Sequence, residues 1–167
     1  HDIYIPTYRP TRQAIPLTQV DERIGTHAIN IDPSKIVGIV FNSELHDSPS
    51  TVTAPDDETQ SIANHLIAFF EKEVAEDRLP KSLGPLQAGI GSIANAVLTG
   101  LKDSNFEDLI MYSEVLQDCT FELIDAGKMK FASGSSITLS AKYGEKVFNN
   151  LEQYKDKLVL RPQEISN

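Results

Sequence analysis

The sequence predicts an α/β domain: a mostly parallel sheet with helices on its faces. Three observations carry that reading. Strand-like and helix-like stretches alternate at least four times, as when crossover helices join parallel strands. Lys35-Ile36-Val37-Gly38-Ile39-Val40-Phe41 is a continuous apolar run of β-branched type, the pattern of a strand buried on both faces. The run from Leu86 through Gly89-Ile90-Gly91 to Val97 passes from strand to helix across a tight glycine turn.

Residues 1–35 hold Pro6, Pro10, Pro16 and Pro33 with little periodicity and read as an extended arm or connector, with a short strand near Ala28 to Ile31. The Lys35 to Phe41 strand comes next, then a polar loop from Asn42 to Pro55. Asp56-Asp57-Glu58 places negative charge at a helix start, and Ile62, Leu66, Phe69, Phe70 and Val74 follow at helical spacing, with a stop before Pro80. The glycine-turn strand and its helix close near Gly100. Leu109 to Ser113 is a strand ending on Glu114. A helix then turns Val115, Leu116, Phe121, Leu123 and Ile124 inward and stops at Gly127. Met129 to Ala132 is a short strand running into Ser133-Gly134-Ser135-Ser136. Ser140 caps a helix through Tyr154, and Leu158 to Leu160 forms the last strand.

With 167 residues, 40% hydrophobic and 23% charged, the chain can bury a real core. A net charge of -9 argues against nucleic acid or an anionic membrane as partner. No apolar run reaches the roughly 18 residues of a membrane helix, and His1-Asp2-Ile3-Tyr4 has no signal-peptide character. Cys119 is the single cysteine, which excludes an intrachain disulfide framework and fits a reducing, intracellular compartment. The absence of a starting Met and a strand close to the last residue suggest a piece of a longer chain.

The candidate site lies between the glycine turn and Glu114. The turn can point N–H groups outward beside the positive end of a helix dipole, and adjacent parallel strands deliver their carboxyl ends side by side. Glu114 is therefore expected a strand spacing or so from Gly89 to Gly91. Several readings fit this pattern. Gly89-x-Gly91-x-x-Ala94 satisfies a loose dinucleotide fingerprint, with Glu114 placed to take a ribose hydroxyl as in an NAD-binding module. The motif lies, however, in the second strand-helix unit. Alternatively the glycines serve only packing and Glu114 caps a helix, leaving a non-catalytic interaction domain. His1, His27, His46 and His65 have no metal-ligand spacing, so no metal site is expected. Cys119 reads as a buried apolar residue. Ser133 to Ser136 is a solvated loop or a phosphate nest.

Leu86-Gln87-Ala88-Gly89-Ile90-Gly91-Ser92-Ile93-Ala94-Asn95-Ala96-Val97, Tyr112-Ser113-Glu114-Val115-Leu116-Gln117-Asp118 and Gly127 to Ser133 resemble the acetyl-CoA hydrolase / succinyl-CoA:acetate CoA-transferase branch of the class I CoA-transferases. The flanks agree: Arg23 to Thr26, Ile31 to Ile36 and Arg161 to Asn167. Members are roughly three times as long. The resemblance thus implies a middle fragment, with residues 1–35 as interdomain connector and 36–167 as the N-terminal part of the catalytic second domain. It implies CoA transfer, or acyl-CoA hydrolysis when water is the acceptor, through a glutamyl-CoA thioester on Glu114. The Ile90 N–H would be an oxyanion donor, and Gly89, Gly91 and Asn167 would line the substrate site. Coenzyme A thioester enters as substrate, with no organic cofactor. Implied partners are an acyl-CoA, a short carboxylate, the remaining segments of the parent chain and, as an open question, a second copy in a homodimer. The compartment would be a bacterial cytoplasm or a mitochondrion.

The chain departs from the family in three places. Cys119 stands where many members have glycine. Ser43 to Pro49 lacks an expected arginine. The later glycine-rich segment that completes the oxyanion hole is absent, so this stretch alone is expected to be inactive.

Overall fold

Four short strands run parallel in the order β1-β2-β4-β6, where β1 is Pro85–Leu86, β2 Leu109–Tyr112, β4 Met129–Gly134 and β6 Leu158–Leu160. The structure, a computed structural model, describes residues 1–4, 15–43, 49–51 and 54–162. A second parallel pair joins β3 (Val115–Leu116) to β5 (Ser136–Ile137). Four helices flank the strands: α1 (Asp57–Ala75), α2 (Ser92–Asp103), α3 (Asp118–Asp125) and α4 (Ala141–Phe148). The predicted α/β class with a mostly parallel sheet is therefore the observed one.

The helix ends follow the local chemistry of the sequence. Asp56 caps α1 by accepting from the Thr59 N–H at 2.8 Å, and the Ser140 hydroxyl accepts from the Tyr143 N–H at the start of α4. Helix α3 ends in a paired motif, with Gly127 N–H donating to Ile124 O and Lys128 N–H to Leu123 O. Gly127 sits at φ +72°, where a side chain would be strained. Leu101, Leu109, Met111, Leu116, Phe121 and Leu123 form the centre of the core. The Phe121 ring meets Tyr154 edge-on, with centroids 5.2 Å apart.

Several expectations require correction. Ile36 to Phe41 forms no strand and is exposed throughout, Val37 and Phe41 almost completely. An apolar run can be read as buried only when partners exist to cover it, and no strand among the described residues lies beside this one. Ala28 to Ile31 likewise forms no strand and is exposed. Val115 and Leu116 pair as β3 instead of opening a helix, so α3 begins only at Asp118. Phe69, placed inward by its spacing, is half exposed on α1. Helix α2 runs past Gly100 to Asp103, whereas α4 stops at Phe148 and is followed by a short 3-10 turn at Leu151–Gln153.

The described part of the first 35 residues is tied to the sheet. The Asp2 N–H donates to Leu160 O, and Ser133 Oγ donates to Val20 O at 2.6 Å. The Asp2 carboxylate accepts from the Arg23 guanidinium at 2.7 and 2.8 Å and from the Ile24 N–H at 3.0 Å. The fully buried Arg161, one residue past β6, lies 3.6 Å from that carboxylate and donates to Val20 O and Glu22 O. Burial pushes the Asp2 carboxyl up. The hydrogen bonds from Arg23 and Ile24, with the charges of Arg23 and Arg161, outweigh that and hold it below the ordinary carboxylate value.

Candidate functional site

The carboxyl ends of β1 and β2 bring the glycine turn and Glu114 together. Leu86 pairs with Met111 across the two strands, and carrying the same register onward sets Ala88 opposite Ser113 and Gly89 opposite Glu114. Neighbouring strands lie about 4.8 Å apart, so the turn and the acid share one edge of the sheet. Glu114 is exposed, and no ion pair among the described residues involves it. It does not cap α3, whose cap position is Gln117. The bland reading of Glu114 as a helix-capping carboxylate is therefore not realised.

The backbone of Glu114 is held from two sides. Its carbonyl accepts from the Ser135 N–H at 2.8 Å, the Ser135 hydroxyl at 2.8 Å and the Ser136 N–H at 3.3 Å. Ser133 and Gly134 are buried in β4. Ser133 to Ser136 is thus neither a solvated loop nor a phosphate nest, since its groups are spent on the Glu114 turn and on the arm. On the other side, the Ser113 hydroxyl donates to Ala88 O at 2.9 Å and accepts from the Ala88 N–H at 3.3 Å. Gln117 Nε2 donates to Gly89 O at 3.3 Å.

The turn itself is open. Ile90 is 77% exposed, and a Cβ built on Gly89 or Gly91 would meet no atom within 4 Å. Of the glycine pair only Gly91 has a positive φ, at +149°, immediately before α2. No hydrogen bond from the Ile90 N–H occurs among the described residues. A cleft of about 570 Å³ opens beside the turn, walled by Leu66 and Phe70 of α1 and by Gly89, Ile90 and Gly91. That volume falls within the ordinary range for small-molecule sites, about 300 to 1,000 Å³.

Other candidates fall away from this edge. Asn167 and His46 lie outside the described residues, as does most of the Ser43 to Pro49 loop. His1, His27 and His65 are exposed; the His27 Nδ1 lies 3.3 Å from the His1 carbonyl oxygen, and His65 is apart from them on α1. Cys119 is buried on α3 with Sγ 3.6 Å from Asn95 Oδ1, and burial pushes its thiol up to about 11. Sequence reasoning assigned no part to Ser113 or Gln117, and it read Ser135 only within the Ser133 to Ser136 loop. The available signal was that Ser113 and Gln117 belong to the same short motif as Glu114.

These features define a class, a parallel α/β unit that sets an open glycine turn beside a strand-end carboxylate. Over its whole length the chain is 47% identical to an acetyl-CoA hydrolase of Neurospora crassa, 44% to one of Eremothecium gossypii and 42% to one of Saccharomyces cerevisiae. Each match covers 32% of the relative, so the chain spans about a third of the length of the curated relatives it matches. No family model matches. The chain is accordingly homologous, end to end, to a portion of proteins named acetyl-CoA hydrolase. No helix among the described residues is long and apolar enough to cross a membrane.

Proposed function

We propose that this chain is the part of an acyl-CoA hydrolase or CoA-transferase that carries the nucleophile, Glu114, and one oxyanion donor, the Ile90 N–H. The observation supporting it most is the pair of contacts, Ser113 Oγ on Ala88 and Gln117 Nε2 on Gly89 O, that ties the glycine turn to the segment bearing Glu114, in a chain whose relatives are named acetyl-CoA hydrolase. An ordinary glutamate, with a pKa of about 4.3, is ionised at neutral pH and needs no base to become a nucleophile. Its low basicity makes electrophilic help necessary. One aimed N–H contributes on the order of 3 kcal/mol toward the tetrahedral transition state.

In the sequence of steps proposed, a Glu114 carboxylate oxygen attacks the acyl carbonyl and CoA thiolate leaves, giving an acyl-glutamyl anhydride. The thiolate then attacks the glutamyl carbonyl, releasing the acyl group as its carboxylate and leaving a glutamyl-CoA thioester. An acceptor carboxylate attacks that thioester and expels the thiolate, which takes up the new acyl group and frees Glu114. With water as acceptor the thioester is hydrolysed to CoA and the carboxylate of Glu114. No organic cofactor or metal is invoked, and Asn167 is assigned to the substrate-lining set with Gly89 and Gly91.

Residues 1–35 are proposed as interdomain connector and 36–167 as the first part of the catalytic domain, inactive without the rest. The apolar surface of Ile36, Val37, Ile39, Val40 and Phe41 suits burial under remaining segments of the parent chain. A homodimer, and a bacterial cytoplasm or mitochondrion as compartment, complete the reading. Geometry at the glycine turn would serve a dinucleotide equally well. The names of the relatives favour the acyl-CoA. In the full-length protein, Glu114→Ala should lower acetyl-CoA turnover by at least about a thousandfold. Retained turnover would favour the interaction domain.

A further inference from the structure

We infer that Gln117 and Ser113 are positioning residues that aim the Ile90 N–H, an inference that rests on the catalytic reading of Glu114 and Ile90. The key lies in which peptide unit each side chain grips. Gln117 Nε2 donates to the carbonyl of Gly89, and that carbonyl belongs to the same planar peptide as the Ile90 N–H. In a trans peptide the C=O and N–H point in opposite directions, so fixing the oxygen fixes the direction of the donor. Donation to the oxygen also polarises the unit and sharpens its N–H as a donor.

The preceding unit is fixed by Ser113. Its hydroxyl meets both the N–H and the C=O of Ala88, substituting for the ladder that ends two residues earlier at Leu86 and Met111. Both side chains are buried, Ser113 at 1% and Gln117 at 8% exposure, whereas Ile90 is open. A glycine on each side of Ile90 leaves that peptide free to rotate unless something holds it. Because Ser113 and Gln117 flank Glu114 within five residues, the segment bearing the acid also sets the donor against which that acid would work. Neither residue touches the reacting atoms in this arrangement.

The test uses the full-length protein and initial rates with acetyl-CoA. Gln117→Glu keeps the size of the side chain but turns its donor into an acceptor facing the Gly89 carbonyl. It should lower kcat by about 10 to 100-fold while KM moves less than about threefold, because an oxyanion donor acts in the transition state. Gln117→Met, which lacks the donor but carries no charge, should do the same. Ser113→Ala should lose about tenfold in kcat and Ser113→Thr should regain most of it. Circular dichroism and urea midpoints identify a variant that fails to fold, and the Ser113 pair then carries the comparison. Wild-type kcat in Gln117→Met, or losses confined to KM, would overturn the inference provided Glu114→Ala is inactive. Activity in Glu114→Ala would instead remove the catalytic reading itself.

Discussion

Glu114 is exposed two residues past β2, yet the serine before it and the glutamine three residues after it are almost wholly buried. That contrast suits a reactive group held by a rigid frame. Cys119 is the opposite case, a group with reactive chemistry and no access. Burial pushes its thiol up to about 11, and the charges of Glu122 and Asp118 add to the effect. At pH 8 the folded protein should therefore react with a disulfide reagent more than about tenfold slower than the urea-unfolded chain. Equal rates would contradict the burial described here. At this scale the sequence was informative about identity and poor about contacts. The spacing of Gly89, Gly91 and Glu114 marked the edge where they meet. Nothing in periodicity could reveal that the Ser135 hydroxyl turns back onto the Glu114 carbonyl.

Among the elements, β3 and β5 determine where the Glu114 turn sits, and Gly134 is what lets them close. A Cβ at Gly134 would lie 2.5 Å from Leu116 Cγ, a fully buried side chain that has nowhere to move. Gly134→Ala should cost about 1 to 3 kcal/mol in urea unfolding, the usual range for overpacking a filled core. An unchanged midpoint would mean that β3 is looser than its pairing indicates. Helix starts were legible because Asp56 and Ser140 carry their own capping chemistry. Two-residue strands were not, since Val115 and Leu116 are too short to show a period of either kind. The Ile36 to Phe41 run failed for another reason: its pattern is that of a buried strand, but nothing among the described residues covers it.

The whole molecule is a parallel sheet whose far edge, at β6, is fastened to the first residues of the chain. The Asp2 carboxylate joins Arg23, Ile24 and Arg161. Its folded pKa lies below the ordinary value of 3.8, so its stabilisation is present above that pH and is lost as the pH falls through the lower folded value. Asp2→Asn should therefore lower stability by about 2 kcal/mol at pH 7 and leave a shallower loss on acidification below pH 4, read from urea midpoints across the pH series. Parallel acid curves for the two proteins would show that the arm is not held by this charge. The fold class was legible from alternation alone, whereas this fastening joins residues more than 100 positions apart and leaves no trace in local pattern.

The central claim is that Glu114 forms a covalent bond during turnover, and the most direct measurement is mass spectrometry of the full-length protein after incubation with acetyl-CoA. Borohydride reduction or hydroxylamine capture would mark the activated glutamyl carbonyl, and digestion would locate it. The account predicts the modification on the peptide containing Tyr112 to Asp118, at Glu114, and its absence in Glu114→Ala. An unmodified Glu114 in protein that consumes acetyl-CoA would contradict it, leaving the acid as part of the frame and the chemistry to another group.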